Sequence, residues 1–258
     1  MLTQYLAQTG LLLQNPSAPT TLYTTANLTS FINIARGQLA GEAECCRYLG
    51  TLTTTIGQRA YNFSSISTGT ASVTGVQGAL HVNSIRYALG DGYQRLQPEQ
   101  WAWFELYALN NPVPTNGPPA YWSQYGQGGA GTGSITGIGS GTLISGSFYL
   151  DPPPDLAYVL TLDCVCYPQA LAADTDVEAI PYLWTDAVPY FAAYLALLSS
   201  QTNQRMADAQ RYFEMYKMFV DRARQAANSS ITRYIYEQAS DPTQINKLGI
   251  QKSTAGGG

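Results

Sequence analysis

Charge is what this sequence has least of. Only 12 % of its 258 residues are Asp, Glu, Lys or Arg, about half of the roughly 25 % usual in globular chains. A surface so poor in charge suits a subunit that meets other subunits better than a freely dispersed monomer. Histidine is down to one residue, His81, set in ALHVNSIRY with no flanking Asp or Ser, so no triad-type base is offered. The four cysteines stand as CC at Cys45 and Cys46 and as CVC at Cys164 and Cys166. Neither spacing is the C-x2-C of a zinc site. Reduced thiols packed as small hydrophobes are expected instead. No apolar run reaches the ~18 residues of a membrane span. The opening MLTQYLAQTGLLLQ lacks a basic region and a small-residue cleavage site, so no leader is expected.

The remaining candidates for chemistry are as thin. Glu42/Glu44 and Asp174/Asp176 are two residues apart, and such pairs do not face each other on a helix. Asp151 and Asp155 bracket a proline turn without a calcium-loop pattern. Gly128–Gly133 lacks the GK[ST] ending and the following helix of a phosphate loop. No catalytic residue, metal ligand or cofactor site is therefore assigned. The acidic balance, a net −4, speaks against sequence-independent nucleic-acid binding by the body of the protein.

Tyrosine is the excess, at 19 residues. It offers a large ring with one polar tip, which fits half-buried contacts. Charge is also unevenly spread. Residues 1–200 hold five basic and twelve acidic side chains, residues 201–258 eight and five. Lys217, Lys247 and Lys252, the only lysines, all lie in the latter stretch. Such a step can steer docking onto an acidic partner, although a solvated helix face with a tail would look the same.

Along the chain, residues 2–13 read as a helix stopped at Asn15-Pro16. Thr24 or Thr25 caps a second helix from about Ala26, with Leu28, Ile32, Ala35, Leu39 and Cys46 on one face. From Arg47 the pattern turns Thr- and Val-rich and is broken by Gly, as strands and turns are. ALHVNSIRYALGDGYQRLQ reads as a hairpin turning at Gly90–Gly92. PEQWAWFELYALNN reads as a short helix opened by Pro98, a lid for a sheet. Residues 110–147 carry ten glycines and four prolines and read as loop, reaching a neighbouring subunit or simply covering surface.

Strands return in SFYLDPPPDLAYVLTLDCVCYP, where Tyr158, Leu160, Leu162, Cys164 and Cys166 alternate with Val159, Thr161, Asp163 and Val165. Past Pro168 the chain reads helical, with Asp174 and Asp176 at a helix start. Leu183, Ala187, Phe191, Tyr194 and Leu198 then share one face, with a kink or late start at Pro189. The last helix has a 3-4 seam of Met206, Ala209, Phe213, Tyr216, Val220, Ala223 and Ala227. Residues 205–227 span roughly 35 Å and pair with the preceding helix as an antiparallel hairpin. Beyond Asn228, Ile231, Tyr234, Ile235, Ile245, Leu248 and Ile250 are too few for a core but suit a groove on another protein; by composition alone, plain disorder fits equally.

The expected fold is α+β. Helices from both ends, residues 1–46 and 168–230, form an antiparallel bundle. Residues 47–167 form a β-rich insertion, sandwich or barrel-like, and residues 231–258 an extended C-terminal tail.

The order of parts from Tyr121 to Ala227 resembles the head-to-tail connector adaptors of tailed bacteriophages. YWSQYGQ and a Gly-rich loop come first, then SFYLDPPPDLAYVLTLDCVCYPQAL. VEAIPYLWTDAVPYFAAYLALLSSQ and DAQRYFEMYKMFVDRARQAAN follow. Residues 22–46 fit the early helix of such proteins, while the Thr-rich 51–80 segment is less recognisable. The resemblance implies a structural virion protein without catalytic activity. It implies a homo-oligomeric ring, a dodecamer, beneath the portal, assembled in the host cytoplasm and offering a docking surface to a tail tube or nozzle. No membrane partner and no sequence-specific nucleic acid are expected. The resemblance also implies that the C-terminal segment reaches the portal, with Tyr234, Tyr236, Lys247 and Lys252 beside the apolar residues named above. Two other virion roles, tail terminator and nozzle subunit, share the same composition. From other classes, a muralytic enzyme would need two suitably spaced carboxylates. A carbohydrate-binding module would use Trp101, Trp103 or Trp122.

Overall fold

The computed structural model describes residues 1–15, 22–67, 75–90, 92–109, 115–126, 146–199 and 203–227. The C-terminal residues Ile231, Tyr234, Ile235, Tyr236, Ile245, Lys247, Leu248, Ile250 and Lys252, and most of the Gly-rich stretch, lie outside these. Among the described residues the chain is α+β, with five helices and two four-stranded sheets.

Two helices open the chain, α1 (Leu2–Leu12) and α2 (Thr25–Ala43). The Thr24 side chain accepts a hydrogen bond from the Asn27 N–H and so caps α2, satisfying one of the donors a helix start leaves free. Glu44, in the left-handed region at φ 52°, ends it. Cys46 is therefore not the last member of a helical face, as its spacing predicted. It leads into the first strand, buried in the β core.

The first sheet has the order β1-β8-β3-β4: β1 (Arg47–Thr53), β8 (Val159–Pro168), β3 (Val76–Leu89) and β4 (Gly92–Arg95), all antiparallel. The second has the order β2-β7-β6-β5: β2 (Ala60–Asn62), β7 (Ser147–Asp151), β6 (Tyr121–Tyr125) and β5 (Gln97–Pro98). One apolar cluster holds residues of both sheets, among them Leu52, Ile85, Leu160 and Leu162 with Tyr61, Trp122, Phe148 and Leu150. The β portion is thus two sheets face to face around a shared core, without closure into a barrel. Pro98 sits on a strand, where its missing N–H suits a sheet edge, and the helical turn predicted to begin there starts at Trp101 instead. β6 also lies inside the stretch that reads as loop. Its prolines and glycines dominate the composition on either side of five strand residues.

β8 shows where the layers meet. Leu160, Leu162, Cys164 and Cys166 are buried in the core while Val159 is exposed and Thr161 and Asp163 half-exposed. Val165, on the outer face, is fully buried. Near the Pro168 end α2 packs on β8, and the Tyr167 hydroxyl fills the space beside Gly37. A Cβ at Gly37 would collide with that ring, so the glycine costs intrinsic helicity and gives close approach in return.

After β8 the chain does not enter a helix at once. Residues 169–181 form a connector, followed by a 3-10 turn (Tyr182–Trp184) and then α4 (Ala187–Ser199). The helix start predicted at Asp174 and Asp176 is corrected to a turn, in which Asp176 accepts the N–H groups of Ala172 and Ala173. Pro189 falls within the first turn of α4, where its missing N–H costs nothing. α5 (Asn203–Ala227) returns alongside. Phe191 meets Tyr216, Tyr194 meets Phe213, and Leu197 shares a cluster with Ala209. Position rises along α4 as it falls along α5, so the two run antiparallel. α1 and α2 pack against α4, and α2 against α5.

Candidate interaction surface

The described residues with chemistry to offer are committed to structure. His81 stands on β3 opposite Val165, 3.8 Å from the Glu44 carboxylate. Glu42 accepts hydrogen bonds from the Tyr216 hydroxyl at 3.2 Å and from Gln38. Asp151 pairs with Arg59 at 3.1 Å, and Asp155 accepts from the Tyr158 hydroxyl at 2.7 Å. All four cysteines are free, three of them buried. Burial pushes the Cys45 and Cys164 thiols up to about 12, far from the thiolate form a nucleophile needs. A hydrogen bond with Cys166, followed by burial, raises Cys46 further. Among the described residues no group of three His, Cys, Asp or Glu could hold a metal ion.

The seam of the last helix divides. Ala209, Tyr216, Val220 and Ala223 are buried, Phe213 is half-buried against them, and Met206 is exposed at 49 %. Met206 lies near the start of α5, past the end of the α4 partner strip. Leu183, predicted for the apolar face of α4, precedes that helix and is exposed at 76 %.

What stands out is therefore surface. On the outside of the second sheet, α3 (Trp101–Trp103) runs into a π-helical turn (Phe104–Ala108) and covers the strands as a lid. Trp101 packs on Tyr125 and Tyr149, each with ring centroids 4.8 Å apart. Trp103 lies 5.6 Å from Tyr121 and 5.8 Å from Tyr107. Offset and tilted rings at these spacings attract beyond simple burial. The Arg59 guanidinium bonds the Ala108 carbonyl and the Asp151 carboxylate, which pins the lid to its sheet. Leu106 and Tyr107 point outward, about 60 % exposed. Trp122 belongs to the inner core, so only Trp101 and Trp103 of the candidate tryptophans reach this face.

The connector forms a second surface. Arg36, almost fully buried, donates to both Glu178 oxygens, to the Gln169 carbonyl at 2.7 Å and to Asn33 Oδ1 at 3.2 Å. Asn33 in turn exchanges hydrogen bonds with the Leu171 backbone. This clamp holds residues 169–180 on α2 and presents Val177, Tyr182 and Leu183 to solvent. Sequence reading missed the clamp. The one signal for it was scarcity: with five cations in the first 200 residues, each has a specific task to explain.

The SU10 adaptor protein family model matches residues 2–235, nearly the whole chain. The chain belongs to the SU10 adaptor protein family. The membership carries the coarse part of what the sequence resemblance implied, a structural phage adaptor and hence a virion component. No curated protein matches this family member. The lid and the connector both present exposed aromatic or aliphatic side chains on rigid supports, the kind of surface that suits contact with another protein.

Proposed function

We propose that the chain is an adaptor ring seated between the portal and the tail of a tailed phage. Family membership across residues 2–235 carries this reading. The surface supports it: large apolar side chains such as Leu11, Tyr93, Tyr107, Tyr182 and Leu183 are more than 60 % exposed on a body with few charges. Copies related by rotation, meeting through unlike surfaces, close into a ring. A dodecamer is the expected count from the resemblance. The ring multiplies weak contacts, so each copy needs little affinity of its own.

The C-terminal segment is assigned the portal side. Ile231, Tyr234, Ile235 and Tyr236 supply apolar and aromatic contacts, Ile245, Leu248 and Ile250 more of the same, and Lys247 and Lys252 charge for an acidic groove. Removing residues 231–258 is expected to leave far-ultraviolet circular dichroism and thermal unfolding nearly unchanged while abolishing co-sedimentation with purified portal. A truncated chain that decorates portals like the full one would show the segment has another role. Co-sedimentation of the full chain with tail tube and not with portal would favour the tail-terminator or nozzle reading.

A further inference from the structure

The outer face of the first sheet is only half covered. Its residues stand in rows, one per strand. In the row of Arg47, Val165 and His81 the helical layer sits close. Val165 is fully buried there, and His81 lies 3.8 Å from Glu44 at the end of α2. Two rows on, Thr51, Thr161 and Arg86 stand opposite one another. The next row pairs Thr53 with Val159 and Ala88 with Tyr93. An antiparallel sheet face left in water is normally polar. The threonines fit that pattern. Leu49, Val159 and Tyr93, at 56 %, 59 % and 75 % exposed, do not. Exposed apolar side chains grouped in this way mark a contact surface.

α5 ends at the border of this face. Arg47, paired with Asp163, donates to the Ala227 carbonyl at 3.0 Å. A cation on a terminal carbonyl suits a helix end, and it fixes the end of α5 over the covered row. Thirty-one residues follow Ala227. The first of them, NSSITRYIY, carry Ile231, Tyr234 and Ile235 with a single charge at Arg233. The family match runs past Ala227 and stops at residue 235. It takes in those three side chains and leaves out Ile245, Leu248 and Ile250.

Length agrees with this placement. From the Arg47 row to the Thr53 row is roughly 20 Å at about 3.3 Å per residue. A chain leaving Ala227 reaches up to about 13 Å by Ile231 and about 27 Å by Ile235, so the two isoleucines bracket the far half of the face.

We propose that residues 228–235 fold back over the outer face of the first sheet in the free subunit, with Ile231, Tyr234 and Ile235 covering Leu49 and Val159. The occupant is this chain's own segment, because its tether starts at the rim of the face and gives it a high effective concentration there. The patch is small, so the contact adds little to global stability and is readily given up. The portal reading above assigns the same three side chains to the portal, and docking there would draw them off the sheet. The contact itself goes beyond that reading and does not depend on it.

Thiol labelling of the full-length chain tests this without a portal. Val159→Cys places a reporter on the face and Leu183→Cys one on the connector, both at exposed sites. Cysteine keeps each position apolar. The reagent is a bulky maleimide, and peptide mass spectrometry separates label at each reporter from label at the four native cysteines. Adding Ile231→Asp, Tyr234→Asp and Ile235→Asp should speed labelling of Val159→Cys at least about fivefold. Leu183→Cys should react at one rate with or without them. The protection of Val159→Cys should not vary with protein concentration, and circular dichroism confirms that each variant is folded. Equal rates at Val159→Cys, or the same acceleration at both reporters, would overturn the contact. Protection that appears only as concentration rises would give the face to a second copy and overturn it as well. Co-sedimentation with portal reads the portal assignment separately, so the two fail independently.

Discussion

At the residue scale, Arg36 is the side chain on which most depends. Every one of its nitrogens has a partner on the connector or on Asn33. Removing one member of a buried pair leaves the other charged and stranded, at about 3–5 kcal/mol. Arg36→Met is expected to lower unfolding stability by that much in urea. Arg36→Met with Glu178→Leu should cost clearly less than the two single changes added together. Asp176 gives the pH-dependent counterpart. Its carboxyl is depressed from 3.8 by the N–H bonds of Ala173 and Ala172. A depressed acid stabilises the fold fully above its unfolded value and stops doing so as pH falls through its folded one. Asp176→Asn should therefore lower the melting temperature most above about pH 4 and converge with the unmodified protein in stronger acid. Neither role was legible from sequence. Arg36 sits at a helical position that nothing local marks as buried, and its partner is 142 residues away.

At the scale of elements, legibility followed periodicity. α2 and α5 were read to within a few residues because long runs repeat the apolar spacing and Thr24 supplies a cap. β8 was read because a half-buried strand alternates. β6 was hidden inside a Pro/Gly-rich stretch, and the connector was mistaken for a helix because acids suit helix starts and capped turns alike. Leu183 was misplaced for the same reason. The α4–α5 contact yields a direct comparison. Phe191→Ala empties a position between Tyr194, Phe213 and Tyr216 and is expected to cost about 3–5 kcal/mol. Met206→Ala, at an exposed site, should stay within about 0.5 kcal/mol. Chemical denaturation of the two variants side by side checks both.

At the scale of the molecule, a helical layer sits on one end of a two-sheet body, and the faces left bare carry rings and aliphatic groups. The lid and the connector are each braced from behind, by the half-buried Arg59 and the buried Arg36 respectively. Such bracing lowers the entropy lost on association. Scarce charge and abundant tyrosine already pointed to a surface made for contact. Which faces are left bare depends on long-range pairing, and only the folded chain displays it. Electron microscopy of purified portal mixed with the full-length chain tests the central claim most directly. The account predicts a single closed ring of this chain stacked coaxially on the portal, with a tail-facing surface left open. Bare portals beside free chain, under conditions where the chain is folded, would contradict it.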